Sequence, residues 1–309
     1  FLNVFRNFTE ELIVRRHMKH FSIIVTYEPN VQRLEMLCNS LIRQLSTVLI
    51  VDNSEYVSIS NNQFEGCTIL RNGENIGIAA AQNIGIEYAI TEGADILTFF
   101  DQDSQITDDL IQELLIPFKK ISNCVTAPVP INKGTGKEYP SHTINWLGWP
   151  KDIFSNGKVI PYQTDLVISS GLTVPKSVIQ NIGRFDEDFF IDFVDIEWCL
   201  RCKRNKISIF IIPTAKMSHS IGDNDIIVGK IVCTRHSPQR TYYKVRNSFL
   251  ILRKKAPFLF FLRQSTSAIF KNYLIMKNSE NSELYFRYYK MGIRDGICGK
   301  RGKCSLNEK

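Results

Sequence analysis

The sequence of 309 residues predicts an α/β protein with a mostly parallel central sheet, helices on both faces and a helical C-terminal extension. Two observations carry this prediction. Short β-branched runs alternate with helical patterns through the first 130 residues, which is the spacing of parallel strands joined by crossover helices. From about Pro238 onward the pattern is helical and basic.

The individual elements follow from hydrophobic pattern and length. Runs such as FSIIVT and TVLIV are apolar throughout and rich in β-branched residues, as expected of strands buried on both faces. We predict strands over residues 21–26, 47–51, 67–70, 95–100, 165–174 and 207–212. We predict helices over residues 33–45, 78–91, 108–120 and 189–203. Residues 130–165 are richer in Gly, Pro and aromatic residues, which favours loops or a small irregular insert.

The charge is distributed unevenly along the chain. The whole sequence has a formal net charge of +7, from 38 Lys and Arg against 31 Asp and Glu. Residues 1–220 hold 20 basic and 25 acidic side chains, a net charge of −5, and residues 221–309 hold 18 and 6, a net charge of +12. An acidic body without a recognised nucleic-acid motif argues against a nucleic-acid partner. The basic region predicts contact with an anionic surface.

Several classes of site and location are excluded by what the sequence lacks. No apolar run approaches the roughly 18 residues needed to cross a bilayer. Cys199 and Cys202 have C-x-x-C spacing without a second such pair or nearby His residues, so we predict ordinary helix residues in a reducing cytoplasm. There is no G-x-G-x-x-G motif, and Ile131 stands where a Walker loop ending at Lys137 needs its first glycine.

Polar residues follow the predicted strands at the edge where α/β sheets bind ligands. Asp101 and Asp103 come directly after a buried strand. Two carboxylates at this spacing suit a hard cation such as Mg²⁺ or Mn²⁺. The alternative is that D-x-D is an ordinary loop tripeptide in which Asp103 caps the next helix. Further along, Asn75 and Gly77 open a helix whose small residues allow a phosphate or nucleoside to approach the backbone.

A second acidic cluster spans residues 186–198, where aromatic residues interrupt the carboxylates. Burial of those aromatics would hold some acids in a semi-apolar site, where a raised pKa suits a general base. The alternative is an N-terminal helical turn in which the acids favour the helix dipole. That alternative accounts for Asp186 to Asp188 well and for Asp195 poorly.

Six motifs in this order and spacing resemble a known family, the family 2 inverting glycosyltransferases of the GT-A fold. The motifs are IIVTYEPN (23–30), LIVDNS (49–54), NIGIAAAQNIGIEYA (75–89), FFDQDS (99–104), SSGLTVP (169–175) and FDEDFFIDFVDIEWCLR (185–201). The resemblance covers roughly residues 20–250. The FDQDS and FIDFVDIEW forms are similar to those of the bacterial rhamnosyltransferases that build O-antigen and capsular polysaccharides.

The resemblance implies a set of binding residues. The nucleotide sugar would be bordered by Thr26, Tyr27, Glu28, Asp52, Asn75, Gly77, Asn83, Asp101 and Arg246, with Asp52 at the base. Asp101 and Asp103 would hold a divalent cation, Mg²⁺ or Mn²⁺, that bridges the two phosphates. His219 matches a position that approaches the metal or the phosphates, although a single His is also a common structural residue.

The resemblance also implies the catalytic base. Asp195 aligns with the second residue of the family's usual Glu-Asp pair. Val194 replaces the Glu, which leaves Asp192 as a second candidate. The implied reaction is a single displacement in which the base takes a proton from an acceptor hydroxyl as that oxygen attacks the anomeric carbon.

The resemblance implies three regions: an N-terminal extension (1–19), a GT-A nucleotide-sugar-binding and catalytic domain (20–220) and a basic helical region (221–309). The expected substrates are dTDP-rhamnose and an oligosaccharide on a polyprenyl diphosphate. We expect a cytoplasmic enzyme, peripheral on the inner membrane through its basic region; the alternative is that this region packs on the catalytic domain or a second subunit. A UDP-hexose donor and a non-catalytic sugar-nucleotide-binding scaffold remain as alternative functions.

Overall fold

The computed structural model describes residues 18–57, 59–219, 225–228 and 231–305. The strands are β1 (His20–Thr26), β2 (Thr47–Asp52), β3 (Cys67–Arg71), β4 (Ile96–Asp101), β5 (Gln105–Ile106), β6 (Cys124–Asn132), β7 (Ser141–Ile144), β8 (Pro150–Ile153), β9 (Tyr162–Thr164), β10 (Thr173–Pro175), β11 (Ser208–His219), β12 (Asp225–Val228) and β13 (Ile231–Thr234). The helices are α1 (Val31–Arg43), α2 (Ile78–Thr91), α3 (Leu110–Leu115), α4 (Lys176–Ile182), α5 (Val194–Arg204), α6 (Pro238–Arg253), α7 (Phe258–Lys277) and α8 (Ser282–Cys298). Most of the predicted N-terminal extension, residues 1–17, lies outside the described residues.

The central sheet has the order β3-β2-β1-β4-β10-β6-β11-β5, with β9 paired to β11. The pairs among β3, β2, β1 and β4 are parallel, as is the pair of β6 with β11. The short strand β10 lies antiparallel between β4 and β6. This sheet confirms the predicted α/β class with a mostly parallel centre.

The two faces of the sheet bury separate cores. Adjacent residues of β1 point to opposite faces, so Ile23 belongs to one buried cluster and Ile24 to the other. Helices α1 and α3 cover one face, while α2 and α5 cover the other. On the second face, Gly85 of α2 lies so close to β1 that a Cβ there would come within 2.6 Å of the Ile23 side chain.

Several parts of the sequence prediction differ from the structure: α3 is shorter than the helix predicted over residues 108–120, α5 begins later than the helix predicted over 189–203, and β11 extends beyond the strand predicted over 207–212. Residues 124–132 form the long strand β6, which the pattern did not predict because Pro128 and Pro130 interrupt it. The strand predicted over residues 165–174 is confined to β10. The predicted insert holds the hairpin β7–β8 and the edge strand β9.

The C-terminal helices pack on the body. Leu250, Ile251 and Phe260 are buried in the same cluster as Phe99 of β4. Helix α6 also packs along α8 through Gly292, where a Cβ would come within 2.9 Å of the Tyr242 carbonyl oxygen. Within the described residues, no helix combines the length and hydropathy required for a membrane span.

Candidate active site

A cavity of about 770 Å³ opens at the carboxyl ends of β1, β2 and β4. Its opposite wall comes from the loop before α5 and from α6 and α7. The polar and charged lining residues are Thr26, Tyr27, Asn53, Asn75, Gln82, Asp101, Gln102, Asp103, Ser169, Asp192, Asp195, Thr234, His236, Arg240, Lys244, Gln264, Ser267, Lys271 and Asn272. The cavity therefore joins both acidic motifs to the basic C-terminal region.

The strand-end residues are held by a small buried network. Asp52 is buried, and its Oδ1 accepts hydrogen bonds from the Thr26 hydroxyl (3.0 Å) and the Ser54 hydroxyl (2.7 Å). Thr26 lines the cavity, and so does Asn53, the residue after Asp52. Asp52 itself does not line it. The structure thus places Asp52 behind the cavity wall, where it fixes the two strand ends.

The backbone at the start of α2 lies against the loop before α5. The Asn75 Oδ1 accepts the Gly77 N–H (3.0 Å), and Gly77 has φ +90°. A Cβ at Gly77 would lie 2.7 Å from the carbonyl oxygen of Phe190, which also accepts the Ile78 N–H (2.8 Å). Only glycine fits both the left-handed backbone and this contact, so α2 and the loop before α5 form one continuous wall.

Asp101 and Asp103 both line the cavity at the end of β4. The next helix, α3, begins at Leu110 with Asp109 at its N-cap position, so the alternative that Asp103 caps it is wrong. Within the described residues, no group of three or more His, Cys, Asp or Glu side chains is placed to hold a metal. Two carboxylates fit a Mg²⁺ or Mn²⁺ ion that takes its other oxygen ligands from a diphosphate and water.

Asp195 lies in the first turn of α5 and faces the cavity. Its Oδ1 accepts the Ile196 N–H (2.9 Å). Burial, with added repulsion from the carboxylates of Asp192 and Asp101, raises the pKa of Asp195 to about 6. A carboxylate with this pKa is ionised at neutral pH and is a stronger base than an exposed one.

Asp192 is differently placed. Arg240 Nε donates to its Oδ2 and Nη2 to its Oδ1, each at 3.1 Å. Burial alone would raise the pKa of Asp192, but the positive charges of Arg240 and Lys244 outweigh burial and hold it below the ordinary value. Asp192 is thus the counter-ion of Arg240, and its role as the second candidate for the base stays a prediction.

The loop that carries Asp192 is clamped by α6. The Asn247 Nδ2 lies within hydrogen-bonding distance of three carbonyl oxygens, those of Phe189 (2.9 Å), Ile191 (2.7 Å) and Asp192 (2.9 Å). Phe190, Asp192 and Phe193 all have φ above +60°, a strained region for residues with a side chain. The contacts from α6 hold this strained loop, and through it the start of α5.

Arg246 lies behind the cavity wall. It is fully buried, and its guanidinium donates to main-chain carbonyls that include those of Asp188 (3.2 Å) and Phe189 (2.9 Å). It does not line the cavity. A buried guanidinium needs partners for its donors; Nη2 finds them in the loop carbonyls, Nε in the Asn247 side chain and Nη1 in the Gly302 carbonyl. Arg246 therefore belongs to the contacts that clamp this loop, and its contact with the substrate stays a prediction.

Other predicted residues also stand outside the cavity lining. Asn83 is buried, where its Nδ2 donates to the Phe185 carbonyl (2.9 Å) and Glu187 Oε1 (2.7 Å). Glu28 does not line the cavity either; its N–H donates to the Ser54 hydroxyl (2.8 Å). The backbone of His219 ends β11, and its side chain lies outside the described residues.

The structure adds lining residues that sequence reasoning missed: Gln82, His236, Lys244, Lys271 and Asn272. His236, Arg240 and Lys244 are spaced by four residues, so a helical reading of residues 236–244 finds one basic face. Nothing in the local sequence places Lys271 or Asn272 opposite that face, because their position depends on how α7 packs.

Comparison with known proteins agrees with this geometry. Residues 22–183 match the family model Glycosyl transferase family 2. The dTDP-rhamnosyl transferase RfbF of Shigella flexneri is 36% identical over 285 residues, which cover 91% of this chain and 96% of the relative. The low-salt glycan biosynthesis hexosyltransferase Agl10 of Haloferax volcanii is 25% identical over 203 residues, 60% of this chain and 62% of that protein.

A solved structure shares the fold. The crystal structure of GalNAc-T7 with UDP, GalNAc and Mn²⁺ matches with a TM-score of 0.60 at 14% identity. The match covers 89% of this chain and 55% of that one. The fold, the family match and the near-full-length relative confirm the resemblance seen in the sequence: this chain belongs to glycosyl transferase family 2 and is a glycosyltransferase of the GT-A fold.

Proposed function

We propose that the protein transfers L-rhamnose from dTDP-β-L-rhamnose to a lipid-linked oligosaccharide in O-antigen or capsular polysaccharide synthesis. Its similarity to a dTDP-rhamnosyl transferase over 91% of the chain supports the donor. The observation that carries the proposal is the single cavity that joins Asp101 and Asp103 at the sheet edge to Asp195 at the start of α5.

In this proposal the reaction is one displacement with inversion. Asp195 takes the proton of an acceptor hydroxyl as that oxygen forms a bond to the anomeric carbon. The bond from that carbon to the phosphate oxygen of dTDP breaks on the opposite face, so a β-L-rhamnosyl donor gives an α-L-rhamnoside. The remaining residues bind and orient: Thr26 and Asn53 border the nucleotide side, and the α6 clamp holds the loop before Asp195.

Asp101 and Asp103 are the residues that would hold a divalent cation. When bound, such an ion stabilises negative charge on the departing diphosphate. The Mn²⁺ of GalNAc-T7 was bound within the same fold, which supports this part of the proposal for the fold as a whole.

The test is transfer of radiolabelled rhamnose from dTDP-rhamnose to an acceptor-bearing membrane extract. We expect wild-type transfer, and a loss of about 10²–10⁴-fold in Asp195→Asn, which removes the base but keeps the side-chain shape. Asp108→Asn, at a largely exposed position, is the matched control and should retain wild-type activity. Preference for a UDP-hexose over dTDP-rhamnose would overturn the rhamnosyl assignment.

We also propose that the enzyme binds the cytoplasmic face of the inner membrane through its basic region. The hairpin turn after β7 exposes Trp146 (90%) and Trp149, and the adjoining start of α7 exposes Phe258 (63%) and Leu262. The two segments touch, because the guanidinium of Arg263 lies 5.0 Å from the Trp149 ring centroid and donates to the Pro150 carbonyl (3.1 Å).

An exposed aromatic patch beside a region with net charge +12 fits an anionic bilayer. The remaining tryptophan, Trp198, is fully buried, so a change in tryptophan emission on adding vesicles reports the patch. With phosphatidylglycerol vesicles we expect a blue shift and flotation, both lost in Trp146→Ser/Trp149→Ser and kept in Leu45→Asn, which alters a 92%-exposed leucine elsewhere. Unchanged flotation of the double variant would refute this membrane surface, and so would a dimer of the wild-type protein in solution that the double variant dissociates.

A further inference from the structure

The chain from Asp101 to Ser104, at the end of β4, forms a closed turn. The main-chain N–H of Ser104 donates to the carbonyl of Asp101 (3.1 Å), which joins the last residue of the turn to the first. The Ser104 hydroxyl lies 2.7 Å from the hydroxyl of Ser170, which also accepts the Asp101 N–H (3.3 Å). Ser104 and Ser170 are both buried. Main-chain and hydroxyl groups therefore fix one side of the turn to the segment before β10.

Gln102 holds the other side of the turn. Its Oε1 accepts the main-chain N–H of Tyr27 (2.7 Å), and its Nε2 donates to the carbonyl of the same residue (3.2 Å). One side-chain amide thus engages both main-chain groups of one residue. Gln102 stands between Asp101 and Asp103 in the sequence, so this contact joins the aspartate pair to the chain that follows β1.

The Gln102 contact continues the pairing of β1 with β4 past the end of β4. In the register of these parallel strands, Val25 lies opposite Asp101, the last residue of β4. At Asp101 the main chain enters the turn. Beyond that point the Gln102 amide provides Tyr27 with the donor and the acceptor that the main chain of a neighbouring strand would otherwise provide.

The chain after β1 is bent and is held from two sides. Glu28 has φ +44°, and its N–H donates to the Ser54 hydroxyl beyond β2 (2.8 Å). Tyr27 is held by Gln102 on the β4 side. Tyr27 lines the cavity next to Thr26, which borders the nucleotide side in the proposed function. The Gln102 contact therefore connects the nucleotide side of the cavity to the aspartate pair.

We propose that Gln102 is a positioning residue, which holds Asp101 and Asp103 at a fixed place relative to the end of β1. The inference rests on the proposed function, in which these aspartates would hold a divalent cation on the diphosphate of dTDP. A cation and a nucleotide that share one complex each raise the affinity for the other. That mutual gain is largest when the groups that bind them are already in place, and hydrogen bonds outside the ligand set commonly fix metal ligands in this way. Gln102 thus controls the coupling between cation and nucleotide.

The test measures the affinity of the 309-residue chain for dTDP by calorimetry, once with EDTA and once with saturating Mn²⁺. The ratio of the two dissociation constants gives the coupling between cation and nucleotide. Gln102→Met keeps the length of the side chain and removes both hydrogen bonds to Tyr27. We expect this variant to lose about tenfold in the ratio, with its dTDP affinity in EDTA unchanged.

Gln105→Met is the matched control. It makes the same substitution three residues further along, at an exposed position outside the cavity lining, and should keep the wild-type ratio. Thermal unfolding of both variants checks that each is folded.

Two outcomes would count against Gln102 alone. Equal ratios in the wild-type protein and Gln102→Met would show that the amide does not position the aspartates. Equal losses of dTDP affinity with and without Mn²⁺ would show a local structural defect or a direct contact with the nucleotide. A wild-type protein whose dTDP affinity does not respond to Mn²⁺ would instead contradict the cation site of the proposed function, and the inference would fall with it.

Discussion

Arg240 and Asp192 form a two-point ion pair, with Nε to Oδ2 and Nη2 to Oδ1 both at 3.1 Å. The pair ties α6 to the loop before α5, three residues ahead of Asp195. Both oxygens of Asp192 are engaged with Arg240, whereas Asp195 Oδ1 accepts a hydrogen bond from the main-chain N–H of Ile196. The arrangement separates two neighbouring carboxylates into a counter-ion and a candidate base.

The pH dependence of catalysis should reflect the pKa of Asp195, which is about 6. A base is active when deprotonated, so kcat/KM for transfer should be constant above that pH and fall tenfold per unit below it. An ordinary carboxyl would give this decline near pH 4 instead. Initial rates measured from pH 4.5 to 8 decide between the two, and a flat profile down to pH 5 would contradict the assignment.

Substitutions of two charged neighbours of Asp195 should move the decline of kcat/KM in opposite directions. In Asp192→Asn a repulsive carboxylate is lost, so the pKa of Asp195 falls and the decline moves to lower pH. In Arg240→Gln a nearby cation is lost, so the decline moves to higher pH. The pH profiles of both variants are compared with that of Arg43→Gln, a largely exposed arginine. Equal shifts of the same sign would argue against direct coupling.

Removing one aspartate at the end of β4 should weaken cation binding. In Asp103→Asn we expect the apparent affinity for Mn²⁺ in the presence of dTDP to fall by about 10–100-fold, since a neutral amide replaces a charged oxygen ligand. Electron paramagnetic resonance of free Mn²⁺ measures this without relying on activity. Asp108→Asn serves as the control, and an unchanged Mn²⁺ affinity in Asp103→Asn would place the cation elsewhere.

The loop clamp should contribute strongly to stability. Asn247→Ala leaves the carbonyls of Phe189, Ile191 and Asp192 without the amide they share, so we expect a loss of about 2–4 kcal/mol in the free energy of unfolding. Urea denaturation followed by circular dichroism measures it. Asn205→Ala removes a single exposed side-chain contact to Arg201 and should cost less than about 1 kcal/mol. Equal losses of unfolding free energy in the two variants would show that the Asn247 contacts stabilise the protein no more than one exposed hydrogen bond does.

Most of the sheet was predictable because its central strands are continuous apolar runs. β1, β2, β3 and β4 match their predicted ranges to within one residue at each end. Strand β6 was not predictable in this way, because Pro128 and Pro130 argue locally against a strand, although β6 pairs with β10 and, with a register shift between Ile212 and Lys216, with β11. Local sequence does not contain that information.

The residues of the site likewise divide into those that local sequence predicts and those that tertiary packing places. Asp101 and Asp103 were found from their position after a strand, and both reach the cavity. Helical spacing places Arg246 on a different face of α6 from Arg240 and Lys244, but it does not show which face meets the cavity and which is buried. That distinction depends on the rotation of α6 against the loop before α5, which is a tertiary property.

Two surfaces of the protein depend on the rotation of α7 about its own axis. Gln264, Ser267 and Lys271 line the cavity, while Leu262, Phe270 and Tyr273 are exposed on the opposite side of the helix. One inserted or deleted residue between Leu262 and Gln264 would rotate everything that follows by about 100° and exchange part of one side for the other. Single-residue length changes in α7 therefore damage two surfaces at once, whereas a change of a whole turn displaces them by about 5 Å along the axis and keeps their order.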